Sequence, residues 1–288
     1  MKESRPSQVL RQEIKAITRS SGFKELSYES TDNVPDFRTF CQTSLVLPLR
    51  LFLTEPIIFL TSTMAATVCA VIYVFPEVFP VVYVDSYGFS ARQCSLVTLS
   101  ISVGVLFTFL PRLYDLRISN MCRRNNILAE PEDKIFGFLV GAPILAIAFW
   151  WFALTVPPLN VSLPPMVSIV SLALVGFSVV EFDTVLSGYL TDTYTSYAAS
   201  ANASLSFLRA VLSGILPVFG RQIFEKLGSN NAMFVMAGIA TMYCAVAFLF
   251  GRYGKRIRLK SKFAQESWEV KKVVNAVKPE NRAKHAGV

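Results

Sequence analysis

Six long apolar segments dominate this chain and indicate that most of it folds in a lipid bilayer. An α-helix rises about 1.5 Å per residue, so about 20 apolar residues cross a hydrocarbon core about 30 Å thick. Within lipid, a helix satisfies its own backbone hydrogen bonds. The chain is therefore predicted to be an all-α, polytopic membrane helix bundle with six transmembrane helices, at about 57–79, 94–113, 135–156, 166–190, 198–219 and 232–250.

The composition agrees with a membrane protein and disfavours catalytic chemistry. Charged residues make up 17% of the 288 residues, whereas soluble domains carry about 25%. The single histidine, His285, lies close to the C-terminus, and the five cysteines are scattered without a metal-binding or disulfide spacing. We therefore expect no enzyme activity, no cofactor and no metal site.

The positive charge is distributed unevenly along the chain. The net charge of +8 lies in the two ends and in the loop after the second apolar segment. Positively charged loops stay in the cytoplasm, so both termini are expected there. The expected organisation is a cytoplasmic segment at 1–54, a six-helix membrane domain at 55–251 and a basic cytoplasmic tail at 252–288. Because the orientation in a lipid bilayer explains where this positive charge lies, the bilayer is the expected partner and no nucleic-acid partner is expected.

Three ionisable residues lie deep within the fourth and fifth apolar segments. A charge at the centre of a membrane helix costs at least about 2.5–3.5 kcal/mol, so such residues usually face a cavity or a partner. Glu181 and Arg209 lie at similar depths on adjacent antiparallel helices, which predicts an ion pair between them. Asp183 points to another face of its helix. The predicted pair either locks two helices together or breaks during transport.

A fourth charge, Glu77, lies near the outer end of the first apolar segment. It is a candidate proton or cation site, and Tyr73, one helical turn earlier, would line the same cavity. The alternative is a carboxylate that is solvated at the membrane surface. Together, Glu77, Tyr73, Glu181, Asp183 and Arg209 form the candidate substrate or proton pathway.

Several segments, in a fixed order, carry a family resemblance. The longest reads GYLTDTYTSYAASANASLSFLRAVLSG, from Gly188 to Gly214. Taken together, the set resembles the C-terminal six helices of fungal major facilitator superfamily transporters of the drug:proton antiporter type. The other matching segments are Leu47–Leu60, Val74–Pro80, Pro111–Arg124, Ile135–Thr155 and Arg252–Ala264.

The resemblance also implies a cytoplasmic gate. The segment Pro111–Arg124 is similar to the family's cytoplasmic loop motif, in which an aspartate and arginines clamp helix ends in one state. Asp192 precedes the fifth predicted helix and is a further candidate for this gate. The candidate gate therefore consists of Asp115, Arg117, Arg123, Arg124 and Asp192.

The resemblance covers half of the family's fold, whose substrate sites lie between the two halves. It implies proton-coupled efflux of small organic molecules, such as drugs, toxins, secondary metabolites or polyamines. The partner of this half would be a missing N-terminal half or a second copy of the chain. The alternative is a truncated, non-transporting membrane remnant or an interaction subunit. The plasma membrane is the expected location, with the vacuolar membrane as the alternative.

Overall fold

The computed structural model describes residues 46–124, 131–160, 162–259 and 261–269, except for the side chains of residues 122, 123, 132 and 133. Most of the segment at 1–54 and of the tail at 252–288 lies outside these residues. The chain divides into two units, Met1–Val46 and Leu47–Val288. The description below concerns the second unit.

Helices make up nearly all of the described residues. The first, α1, is short, and the others are long enough to cross or nearly cross a bilayer. The outer end of α2 continues through a π-helical turn, Pro80–Val84, into Asp85–Tyr87. Among the described residues, the eight helices that are labelled here are α1 Leu47–Thr54, α2 Pro56–Phe79, α3 Ala91–Leu106, α4 Phe109–Arg124, α5 Phe136–Thr155, α6 Pro165–Thr193, α7 Ala198–Leu227 and α8 Ser229–Arg258.

In the part of the chain that the structure describes, six continuous helical runs are long and apolar enough to span a membrane, as the sequence predicts. The all-α, six-helix prediction is therefore confirmed. The runs extend one to several residues beyond most of the predicted bounds. They are Pro56–Tyr87, Ala91–Met121, Phe136–Thr155, Pro165–Thr193, Thr195–Leu227 and Ser229–Arg258.

The second run contains a break that was not predicted. The amides of Phe107, Thr108 and Leu110 each bond a carbonyl three residues earlier instead of four. Pro111 has no N–H to offer the carbonyl of Phe107, which accepts from Leu110 at 3.1 Å. This short stretch of i→i−3 hydrogen bonds separates α3 from α4 within one membrane-spanning run.

Polar caps fix two helix ends on the side of the bundle opposite to α1. The Ser90 hydroxyl accepts from the Gln93 amide, and the Gln93 side chain accepts from the Ser90 amide at 2.9 Å, which forms a capping box on α3. The buried Asn230 side chain donates to the carbonyls of Ala153 and Val156 at 2.7 and 2.8 Å. It thereby satisfies the free carbonyl end of α5 from the start of α8.

The helix α6 organises the packing. It contacts α3, α5, α2 and α7, while α2 packs along α7 and α5 packs along α8. Large aromatic side chains, among them Phe75, Phe138, Phe152 and Phe182, fill the space between these helices and are fully or almost fully buried. The α3–α6 contact is close enough that a Cβ on Gly104 or Gly176 would overlap the backbone of the other helix.

The six runs differ sharply in burial. About three fifths of the apolar window is buried in the runs that contain α2 and α6, at 61% each. In the run that contains α7 the buried share is 17%, and in the runs of α3 and α8 it is 28%. These three helices therefore present most of their surface to lipid or to another protein.

The glycines at the α3–α6 contact provide a test of this packing. We expect Gly104→Ala and Gly176→Ala each to destabilise the protein by about 1–3 kcal/mol, because the new methyl group overpacks a backbone contact. The Cβ of the matched control, Gly238→Ala in α8, meets no atom within 4 Å. That control should be neutral or stabilising by up to about 1 kcal/mol. Thermal unfolding in detergent measures the effect, and equal stability of all three variants would contradict the packing.

Candidate functional site

Arg112, in α4, holds two acidic side chains inside the membrane-spanning part of the bundle. Its guanidinium donates to Glu181 Oε2 at 2.7 Å and to the hydroxyl of Thr184 at 2.9 Å, both on α6. It also donates to Asp115 Oδ2, one turn along α4, at 3.2 Å. One positive charge therefore serves two carboxylates, and we call these three charged residues the Arg112 cluster.

The cluster is buried unevenly. The Glu181 side chain is fully buried, the Asp115 side chain is 15% exposed and Arg112 is 35% exposed. Within the described residues, the second oxygen of Glu181 and that of Asp115 are buried without a hydrogen-bond partner. One guanidinium therefore contacts two carboxylates, each with one oxygen left unbonded, and Lys134 also acts electrostatically on Asp115.

Two glycines of α5 make room for Glu181. A Cβ on Gly137 would overlap Glu181 Oε2, and one on Gly141 would lie 3.1 Å from the Glu181 Cβ. Any side chain at 137 would therefore displace the carboxylate from Arg112. The close approach of α5 explains how a carboxylate can be fully buried beside a partly exposed arginine.

The predicted Glu181–Arg209 ion pair is wrong. Arg209 pairs instead with Asp183, and Glu181 pairs with Arg112. The predicted depth of the partner of Arg209 agrees with the structure, since Asp183 lies only about 3 Å from Glu181 along the helix axis. Their directions differ, because residues i and i+2 point to different faces of a helix. Glu181 faces α4 and α5, while Asp183 faces α7.

The Asp183–Arg209 pair begins a line of polar contacts between α6 and α7. Below it, Ser187 donates to Asn202 Oδ1 at 2.7 Å, and Asn202 donates to the Thr191 hydroxyl at 2.8 Å. The positions 183, 187 and 191 recur every four residues and share one face of α6. We call this line the polar seam. Asp183 is 34% exposed and Arg209 is 32% exposed, so the seam borders open space.

The candidate gate residues are only partly brought together. Asp115 belongs to the Arg112 cluster, and Asp192 accepts from Lys134 at 2.6 Å, which ties the end of α6 to the turn before α5. Arg117 and Arg124 are exposed on α4, and the side chain of Arg123 lies outside the described residues. Asp115 therefore pairs with Arg112 and Asp192 pairs with Lys134.

Glu77 and Tyr73 share the exposed face of α2, and Tyr73 is 54% exposed. Arg221, near the end of α7, interacts electrostatically with Glu77 and Asp85 and forms an ion pair with Glu225 at 2.7 Å. Arg221 therefore lies within electrostatic reach of three carboxylates at this outer end, those of Glu77, Asp85 and Glu225.

Sequence reasoning missed Arg112, Lys134 and Asn202 as site residues. Arg112 lies three residues before Asp115, a spacing at which helical side chains meet, but it stands at the end of the predicted segment 94–113 and was not considered with the charges inside the spans. Lys134 and Asn202 carried no comparable signal, because both depend on contacts with distant segments.

The fold and these paired charges define a polytopic α-helical membrane protein with six spans. Three relatives are similar to it. The MFS-type efflux pump MFS2 of Trichophyton rubrum is 34% identical over 78% of this chain and 38% of its own length. The efflux pump FUB11 of Gibberella moniliformis is 28% identical over 91% of this chain and 44% of its own length. The multidrug transporter mdrA of Aspergillus fumigatus is 30% identical over 78% of this chain and 37% of its own length.

The chain belongs to the major facilitator superfamily and corresponds to the C-terminal six-helix half of its fungal transporters. It spans less than half the length of these three relatives. No family model and no solved structure matches it. The family resemblance that the sequence motifs carried is confirmed.

The Arg112 cluster predicts a large effect of removing one charge. We expect Arg112→Gln to destabilise the protein by about 3–5 kcal/mol, because it leaves the buried Glu181 without a cation. Arg117→Gln removes the same charge from an exposed position of the same helix and should change stability by less than about 0.5 kcal/mol. Thermal unfolding in detergent compares the two.

A double variant separates charge from packing at Arg112. Adding Glu181→Gln to Arg112→Gln should recover much of the lost stability, since no unpaired charge then remains on Glu181. If Arg112→Gln is as stable as Arg117→Gln, the cluster does not hold these helices together.

Proposed function

We propose that this chain is the C-terminal half of a proton-coupled efflux transporter of small organic molecules. The single observation that carries the proposal is the Asp183–Arg209 pair. Both charges lie within membrane spans, yet each side chain is about one third exposed. Charged side chains within spans usually face the bundle interior or a water-filled cavity, and a pair that only joined two helices would lie in the interior. An open pair fits the wall of a cavity that a second half completes.

The charge balance supports coupling to protons. In the Arg112 cluster one guanidinium faces two carboxylates, and one oxygen of each carboxylate is buried without a partner in the described part of the chain. A single proton would neutralise the excess negative charge. Protonation would weaken the hold of Arg112 on α6, and the Lys134–Asp192 pair would remain as the second contact of the proposed cytoplasmic gate.

The substrate class is proposed from the relatives and from the chemistry of the exposed surfaces. The similar proteins are named as efflux pumps and as a multidrug transporter. The exposed face of α2 offers the aromatic ring of Tyr73 and the carboxylate of Glu77, which suit an amphipathic organic cation. Drugs, toxins, secondary metabolites and polyamines are therefore the proposed substrates, and catalysis is not proposed.

The proposed arrangement in the membrane follows the positive-inside rule. The ends of α4 and α8 carry Arg117, Arg124, Arg252, Lys255 and Arg256, so this side and both termini are proposed to be cytoplasmic. The plasma membrane is the proposed location, with the vacuolar membrane as the alternative. The weakly buried helices α3 and α7 offer surface for an N-terminal half or for a second copy of the chain.

The experiment is an efflux assay in cells that make this chain alone or together with the N-terminal half of the Trichophyton rubrum relative. Fluorescent drugs and polyamines are loaded with and without a proton uncoupler. We expect uncoupler-sensitive efflux when the two halves are present. Asp183→Asn should abolish efflux by opening the pair, whereas Glu225→Gln, in an exposed i,i+4 pair of α7, should leave it unchanged.

The alternative function is that of a non-transporting remnant or interaction subunit. Stable insertion and co-purification of the two halves without efflux of any compound would favour that alternative. Efflux by the chain alone would instead favour a transporter assembled from two copies.

A further inference from the structure

A cavity of about 490 Å³ lies where α2 begins and α8 ends, and none of its described lining residues belongs to the Arg112 cluster or to the polar seam. Its volume falls within the range of about 300–1,000 Å³ that is typical of small-ligand sites. Its lining includes Glu55, Pro56, Tyr253, Arg256 and Lys262.

The cavity carries two exposed cations among aromatic rings. Arg256 and Lys262 are exposed, and the Arg256 guanidinium lies 5.7 Å from the centre of the Tyr253 ring. That distance allows a cation–π contact, which restrains the guanidinium. Two cations that line one cavity suit an anionic group such as a phosphate.

A carboxylate lines the same cavity but is almost entirely buried. Glu55 is 6% exposed, and its Oε2 accepts a hydrogen bond of 2.9 Å from the hydroxyl of the buried Tyr194. Burial, reinforced by the charge of Glu55, raises the pKa of Tyr194, so its hydroxyl remains a donor. The cavity therefore combines an inner negative charge with exposed positive charges.

The position of the cavity matches the level of lipid headgroups. Pro56 is the first residue of a membrane-spanning run, and Tyr253 follows directly after the apolar part of α8. Aromatic and basic side chains collect at this level of a bilayer. A ligand with one end in this cavity can keep acyl chains in the surrounding lipid.

We propose that this cavity binds the headgroup of an aminophospholipid, with its phosphate at Arg256 and Lys262 and its ammonium group at Glu55. An ammonium group can donate hydrogen bonds to the carboxylate, whereas the trimethylammonium of a choline headgroup cannot. A glycerol headgroup brings no cation to Glu55. The bound lipid would join the start of α2 to the end of α8 and to the helical residues 262–269.

The experiment measures binding of short-chain lipids to the whole protein in detergent, by native mass spectrometry and by thermal shift. The probes are phosphatidylethanolamine, phosphatidylcholine and phosphatidylglycerol, together with free phosphoethanolamine. The wild-type protein should bind phosphatidylethanolamine most tightly. Binding of free phosphoethanolamine as tight as that of the lipid would make the ligand a soluble phosphate ester and overturn the lipid proposal.

Three variants and a control assign the two ends of the headgroup. Arg256→Gln and Lys262→Gln, at exposed positions that tolerate change, should each weaken all three lipids about tenfold, as expected for the loss of a charge-assisted contact. Glu55→Gln retains an acceptor for Tyr194 and should weaken phosphatidylethanolamine alone, which removes its advantage over phosphatidylcholine. Arg252→Gln removes a charge from the same end outside the cavity and should leave binding unchanged.

Two further results would overturn the proposal. If Arg252→Gln weakens binding as much as Arg256→Gln, the attraction is diffuse and the cavity is not a site. If phosphatidylglycerol binds the wild-type protein as tightly as phosphatidylethanolamine, and Glu55→Gln changes nothing, Glu55 does not select an ammonium group.

Discussion

The guanidinium of Arg112 contacts two carboxylates inside the membrane-spanning part of the chain, and we expect the packing of α4, α5 and α6 to depend on it. Glu181 is fully buried between α4, α5 and α6 and takes its hydrogen bond from Arg112 at 2.7 Å. Gly137 and Gly141 leave the space that this carboxylate occupies. Because an unpaired charge in this environment is expensive, the three helices are held in the one arrangement that supplies the cation.

The second ion pair has a different setting. Asp183 and Arg209 join α6 to α7 beside open space, above hydrogen bonds that run through Ser187 and Asn202. The helix α6 thus has a closed face that stabilises the bundle and an open face that is suited to a ligand or a partner. This asymmetry is what a six-helix half of a larger transporter requires, since one face must remain available for the cavity between the halves.

The fold could be predicted well from the sequence, because the length of an apolar segment and a family motif can each be read from a short stretch of chain. All six spans lie where the apolar segments placed them. The ion-pair partners were harder to predict. Depth along a helix can be counted from its end, but the rotation of each helix is set by contacts such as Gly137 with Glu181. Glu181 and Asp183 therefore exchanged their expected roles, and Arg112, hidden at the edge of an apolar segment, was overlooked.

The most direct test of this account is a set of double-mutant cycles on Arg112, Glu181, Asp183 and Arg209, each neutralised alone and in pairs, with unfolding free energies measured in detergent. The account predicts coupling of at least about 1 kcal/mol for Arg112 with Glu181 and for Arg209 with Asp183. Coupling between Glu181 and Arg209 should be much smaller. Strong coupling of Glu181 with Arg209, and weak coupling with Arg112, would contradict the account.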